Sequence, residues 1–248
     1  MSHLPCRPKS LLSLSILLLT LSGCGISRHA RLPQISTQPV IREFQQPAGA
    51  RVDSLMKKYG KNKIFADEFV KPALIALSYY PELKDVPIEF KYSNEATTMA
   101  ARPDPFSLIT GRKYLVLINH KKNFEGILLQ DVPLNAQIGI IGHELAHIVD
   151  YQNHNLWGIA GIYFRYLDKN RRAFFEKEID KATIARGLGW QLYDWATYST
   201  IANDYSSKAY IKFKQETYMH PERIKQVISY ISKYKKASSS ASHSTASN

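Results

Sequence analysis

The 248-residue chain is poor in cysteine, with only Cys6 and Cys24, both ahead of any segment patterned to fold. A disulfide framework is therefore excluded, and stability must come from a packed core. Acidic residues are also scarce: 21 Asp and Glu stand against 33 Lys and Arg, a formal net charge of +12. Much of this excess lies in "KAYIKFKQETYMHPERIKQVISYISKYKK", residues 208–236. That stretch reads as a solvated helix face over Ile224, Val227, Ile228 and Ile231. Contact of the same face with anionic lipid or envelope polymers is the alternative. No nucleic-acid motif accompanies the charge, so nucleic acid is not an expected partner. Long apolar runs are lacking too. The one candidate, "LLSLSILLLTLSG" at 11–23, is too short to span a bilayer as an ordinary helix. No internal repeat is present.

What the N-terminus does have is an order. "MSHLPCRPKS" carries Arg7 and Lys9, an apolar run follows, and small residues close it. That is the layout of a secretory signal peptide over 1–23. Leu21-Ser22-Gly23-Cys24 resembles the bacterial lipoprotein lipobox. The resemblance implies cleavage before Cys24, lipid on its thiol and amino group, and a membrane partner reached through acyl chains. Each buried methylene contributes roughly 0.8 kcal/mol, and lasting attachment takes more than one chain. Gly25, where an aspartate would signal inner-membrane retention, implies the outer membrane, facing the periplasm. Residues 24–50, rich in Pro, Gln and Ser, read as a lipidated tether, and 237–248 as a disordered low-complexity tail. The span 51–236 between them is long enough for one domain with a real core.

Within that span, "RVDSLMKKYGK" and "ADEFVKPALIALSYY" predict helices, the second disturbed by Pro72. "VPIEFKYS" alternates and predicts a strand. "TTMAARPDPFSLI" and "RKYLVLIN", separated by Thr110-Gly111, predict a strand pair. Pro103 and Pro105 confine its first member to an edge, because proline cannot donate to a ladder. "VPLNAQIGIIGHELAHIVDYQ" and "RRAFFEKEIDKATIAR" predict helices, Gly187 stopping the latter, with more helix to about Lys236. Strands first and helices later give an α+β domain.

"IIGHELAHIVDY" holds the chemistry. His143 and His147, four apart on a helix, share a face and can reach one metal ion together. Glu144 points about 100° away, beside the open coordination position, where it can take a proton from water. A buried helix with two core histidines is the alternative, but it would need several hydrogen-bond partners for those groups. Gly139 and Gly142 cost roughly 1 kcal/mol each inside a helix, so they mark close approach of another backbone.

A catalytic zinc takes three protein ligands and keeps one position open. The metzincin extension fails, because Asp150 and Asn153 occupy its glycine and ligand positions. "FFEKEIDKATIARG" offers Glu176 and Asp180 at i and i+4, whereas Glu178 has Ala182 at the corresponding position. This arrangement resembles the gluzincin-type HExxH zinc metallopeptidases, with Gly142-His143-Glu144 and His147 in one helix and Glu176 and Asp180 in another. Phe175 and Ile179 depart from an N-E-x-x-A-D pattern of one envelope-associated group, while "MHPERI" echoes its His-Pro segment. The resemblance implies a zincin-like fold: a small antiparallel or mixed sheet packed on the active-site helix, with a helical C-terminal half. It implies that Glu176 is the third zinc ligand and that Asp180 orients a liganding histidine. A mixed-charge surface helix with ordinary i, i+3 ion pairs is the alternative for this segment.

The function expected is a lipid-anchored zinc peptidase acting on envelope peptides or proteins, with Glu144 as general base. His220 is the first candidate for the oxyanion donor, followed by Tyr218, Tyr193 and Tyr198. The first of the predicted strand pair, or the second, would hold substrate as an added strand, with Arg102 a candidate for a substrate carboxylate. Two alternatives stand beside this: a non-catalytic zincin-fold scaffold lipoprotein, and an amidase acting on peptidoglycan stem peptides.

Overall fold

The computed structural model describes residues 38–107, 111–200, 206–231 and 234. The expected signal peptide, Cys24 and the C-terminal tail lie outside the described residues. Four short strands form one mixed sheet, and the C-terminal half is helical. The strands are β1 (Lys63–Ile64), β2 (Ile88–Ser93), β3 (Met99–Pro103) and β4 (Tyr114–Asn119), in the order β1-β2-β4-β3. β4 is parallel to β2, and β3 pairs antiparallel to β4 from Met99↔Ile118 to Pro103↔Tyr114. Every residue of β4 is buried, as the continuous run "YLVLIN" requires of a strand covered on both faces. β3 takes the edge to which Pro103 confines it.

The first two helices, α1 (Gly49–Tyr59) and α2 (Val70–Leu77), flank β1 in sequence. Pro72 does not disturb α2. It lies in the first turn, after a 3-10 turn at Asp67–Phe69, where its missing N–H leaves no bond unmade. Six helices follow the sheet: α3 (Leu134–Gln152), α4 (Leu156–Arg165), α5 (Lys169–Thr183), α6 (Gly189–Thr200), α7 (Lys208–Thr217) and α8 (Pro221–Tyr230). α3 is the central one. Ala136, Ile138, Ile141, Leu145 and Ile148 are all fully buried on it, so the helix is enclosed on several sides. A Cβ on Gly139 would stand 2.1 Å from the Gln191 carbonyl oxygen, so α6 lies backbone to backbone against α3 there. At Gly142 the close neighbour is a side chain, Leu188 Cδ1 at 2.7 Å, rather than a backbone. α5 passes into α6 through a wide turn at Ile184–Leu188, where Gly187 takes φ +108.

Two departures from the sequence reading concern boundaries. The described end of the expected tether is part of the packed domain. Phe44 is buried and its N–H donates to Asn135 Oδ1 at 3.1 Å, while Tyr79 Oη donates to the Pro39 carbonyl at 2.8 Å. Gln191 and Asn135 donate to the Ile41 and Arg42 carbonyls, and Arg42 pairs with Asp194 at 2.9 Å. The apolar side chains of Val40, Ile41 and Phe44 outweigh the linker-like composition around them. The second departure is α4, where no element was predicted. Asn155 caps it by accepting from the Gly158 N–H. Its ten residues are apolar on nearly every face and so carry no helical stripe.

Candidate metal centre

α3 supplies His143, Glu144 and His147, and α5 supplies Glu176 and Asp180. All five are buried and all five are ionisable, so each needs a partner to stay there. The helices bring one ligand atom each from His143, His147 and Glu176 within 4.8 Å of one another. Glu176 Oε2 lies 3.1 Å from His143 Nε2 and 3.2 Å from His147 Nε2, and the two imidazole nitrogens are 3.2 Å apart.

The surroundings aim these atoms. His143 Nδ1 donates to Asp180 Oδ1 at 2.8 Å, which leaves the Nε2 lone pair of a neutral ring pointing at the cluster. The other oxygen of Asp180 accepts the Met219 N–H at 2.8 Å. Tyr166, at the end of α4, donates its hydroxyl to Glu176 Oε1 at 2.8 Å, freeing Oε2 for the cluster. His147 Nδ1 has no partner among the described residues; ring contacts with Tyr151 and Phe175 hold that imidazole. Tyr80 donates to the Gly142 carbonyl at 2.5 Å and braces α3 one residue before His143.

Three potential ligand atoms facing one another within a buried site need positive charge among them, a proton or a metal ion. Burial alone would lower the His143 pKa, but its bonds to Asp180 and Glu176 outweigh that and push it up to about 10. Burial would raise Glu176, yet the two histidines hold it well below the ordinary carboxylate range. Burial does push Glu144 up, against the opposing pull of His143, His147 and Lys214. Lys214 on α7 is itself buried, and burial brings its pKa down to about 8 despite the carboxylates of Asp180, Glu176 and Glu144. Its ammonium rests 3.4 Å from the centroid of the Tyr218 ring. Two imidazoles and a carboxylate whose atoms converge in one buried place are a donor set that fits a metal ion, which would displace the proton from His143.

A cleft of about 550 Å³ opens on this cluster, lined by β3 from Met99 to Arg102 and by Glu144, His147, Glu176 and Tyr218. A small cavity of about 20 Å³ is lined by His143, Lys214, Asp180 and again Glu144 and Tyr218. Glu144 thus borders both spaces.

His220 does not join the site. It is exposed at the N-cap of α8 and lines neither cavity. The "MHPERI" segment reaches the cluster through the Met219 N–H instead, and Tyr218 takes the place beside it, edge-on to the His143 ring at 5.6 Å. Tyr193 and Tyr198 are also absent from both linings, whereas Arg102 lines the cleft and pairs with Glu95 at 3.0 Å. Glu178 faces solvent and pairs with Lys181, so α5 turns Glu176 inward rather than its neighbour. Lys214 and Tyr166 carry no motif. The sign of Lys214 was a lysine on the stripe Tyr210, Lys214 and Thr217, all buried, inside an otherwise solvated basic stretch. Comparisons with protein-family models, with curated proteins and with solved structures find no match.

Proposed function

We propose that this chain is a zinc metallopeptidase of the gluzincin type, with His143, His147 and Glu176 as the metal ligands. The observation that carries the reading is the convergence of these three buried side chains from two helices, with Glu144 beside them at the floor of an open cleft. Two imidazoles and one carboxylate are a donor set that suits zinc and leaves a coordination position open for chemistry. Bound there, zinc supplies Lewis acidity, polarising a carbonyl and making a water molecule more acidic.

The chain's own groups do the rest. Glu144, ionised, accepts a proton from the attacking water and delivers it to the departing amine. Asp180 and Tyr166 hold His143 and Glu176 in place, each through the atom not turned to the metal. Tyr218, in place of His220, offers its hydroxyl to the carbonyl oxygen as negative charge develops there. Among the described residues β3 pairs on one side only, and its other edge runs along the cleft. An extended peptide added to that edge would be held by its backbone, with little demand on side-chain identity. This antiparallel edge strand above the HExxH helix is also what supports a zincin-like fold.

The N-terminal pattern ending in Cys24 supports placing this activity at the cell envelope, on a lipid anchor. Zinc analysis of the purified protein, paired with casein digestion, tests the reading. About one zinc per chain is expected, with Glu144→Gln keeping the metal and losing cleavage by 100-fold or more, on the order of a lost general base. A protein that holds no zinc, or a Glu144→Gln variant as active as its parent, would refute it.

A further inference from the structure

Twelve large apolar side chains are strongly exposed among the described residues, and six of them fall between positions 156 and 174: Leu156, Trp157, Tyr163, Phe164, Leu167 and Phe174. α4 explains why. Ile159 and Ile162 bury one side of it, yet the opposite side is apolar as well, and Arg165 is the only charge in its ten residues. A helix that is apolar all round belongs in an apolar surrounding. Here the outer side has none: Trp157 is 86% exposed, Phe164 65%, Leu167 81% and Phe174 69%. Trp157, Gly161 and Phe164 are spaced i, i+4, i+7 and so share a face. A surface depression of about 580 Å³, lined by Gly161, Phe164, Arg165, Asn170, Arg171 and Phe174, joins that face to α5.

The rim of the patch is predominantly basic. Arg165 and Arg171 line the depression and Lys169 lies between them in sequence, against the carboxylates of Asp150, near Arg165, and Asp168. Both are engaged: Asp168 accepts the Arg171 N–H at 2.8 Å as the cap of α5, and Asp150 pairs with His154 at 3.6 Å. Tryptophan, phenylalanine and leucine on an exposed helix, with arginine and lysine along its margin, match the chemistry of an anionic bilayer surface. The rings enter the boundary between headgroups and acyl chains, and the cations meet phosphate.

We propose that α4 and the start of α5 form a membrane-contact face that lies on an anionic lipid surface. The face adjoins the cleft, since Tyr163 and Tyr166 of the same segment and Arg172 of α5 line it. Docking would set the cleft mouth beside the bilayer, whatever reaction the cleft performs.

The test uses the full chain and a local readout. Trp157 is one of three tryptophans, and its emission is isolated as the difference between the natural chain and Trp157→Phe. A signal confined to Trp157 is independent of any other route by which the protein reaches a vesicle. On vesicles containing phosphatidylglycerol, this emission should shift to the blue and be quenched by bromine on the acyl chains. Arg165→Gln with Arg171→Gln should weaken the docking about fivefold per cation removed. Phe164→Ser with Leu167→Ser should abolish the quenching, while circular dichroism shows the fold retained. Three results would overturn the proposal: Trp157 still open to aqueous acrylamide in vesicle-bound protein; equal quenching on neutral phosphatidylcholine; or Trp157 already shielded before lipid is added, which would assign the face to another part of this chain, a second copy or a protein.

Discussion

His143 is held at both ring nitrogens, and Glu176 at both oxygens, whereas His147 is held at one nitrogen and by ring packing. Glu176 is therefore the ligand whose loss should matter most among the two helices, because it is the only one from α5. Glu176→Ala should lower zinc affinity by about 100-fold or more, read by competition with a chelating dye; affinity like that of the natural chain would remove it as a ligand. Lys214 invites a different experiment. Its ammonium is one of the charges that pull the Glu144 pKa down against burial. Glu144 must be ionised to act as a base, so Lys214→Met should move the acid limb of kcat/KM to higher pH, by about one unit. An unmoved limb would show that Lys214 only fills space. The HExxH spacing and the i, i+4 pair of Glu176 and Asp180 were readable as helix faces. Lys214 and Tyr166 were not, because nothing local distinguishes them; their roles arise only when α7 and the end of α4 meet α5.

Helices α3 and α6 meet at the scale of backbones, and Gly139 is the position that permits it. A methyl group there would strike the Gln191 carbonyl, which belongs to a buried helix and has little room to yield. Gly139→Ala should cost about 2 kcal/mol or more in urea unfolding. Gly161, in exposed α4 with nothing within 4 Å of a built Cβ, provides the control. Gly161→Ala should stabilise by about 1 kcal/mol, since only helix propensity changes. Equal effects of the two would deny the close approach. This pair also shows why some elements were legible and others not. α3, β2, β3 and β4 declare themselves by stripe, alternation or a proline that fixes an edge. α4 hides because apolar residues on all sides leave no period. The packed residues after Pro39 hide because polar composition masks Ile41 and Phe44, whose burial depends on α2, α3 and α6 being in place.

For the molecule as a whole, a metal ion would tie α3 to α5, and its grip must compete with protons. In the metal-free protein the bonds to Asp180 and Glu176 raise His143 from its ordinary 6.5 to about 10. A raised histidine stabilises the fold fully below its unfolded pKa, and that contribution fades as pH climbs towards the folded value. Bound to metal, the ring is neutral in the folded state, and above 6.5 it is neutral in the unfolded state as well. The metal-bound form therefore loses nothing from this group over the same interval. The gap in Tm between zinc-loaded and chelator-treated protein should widen from pH 6.5 to about 7, short of the midpoint near 8 at which Lys214 titrates. Zinc added to metal-free protein in that interval should also release about one proton, measured by calorimetry in buffers of different ionisation enthalpy. A constant gap with no proton released would mean that the imidazole of His143 is not displaced from its carboxylate partners by the ion, and that the two helices are joined by hydrogen bonds alone.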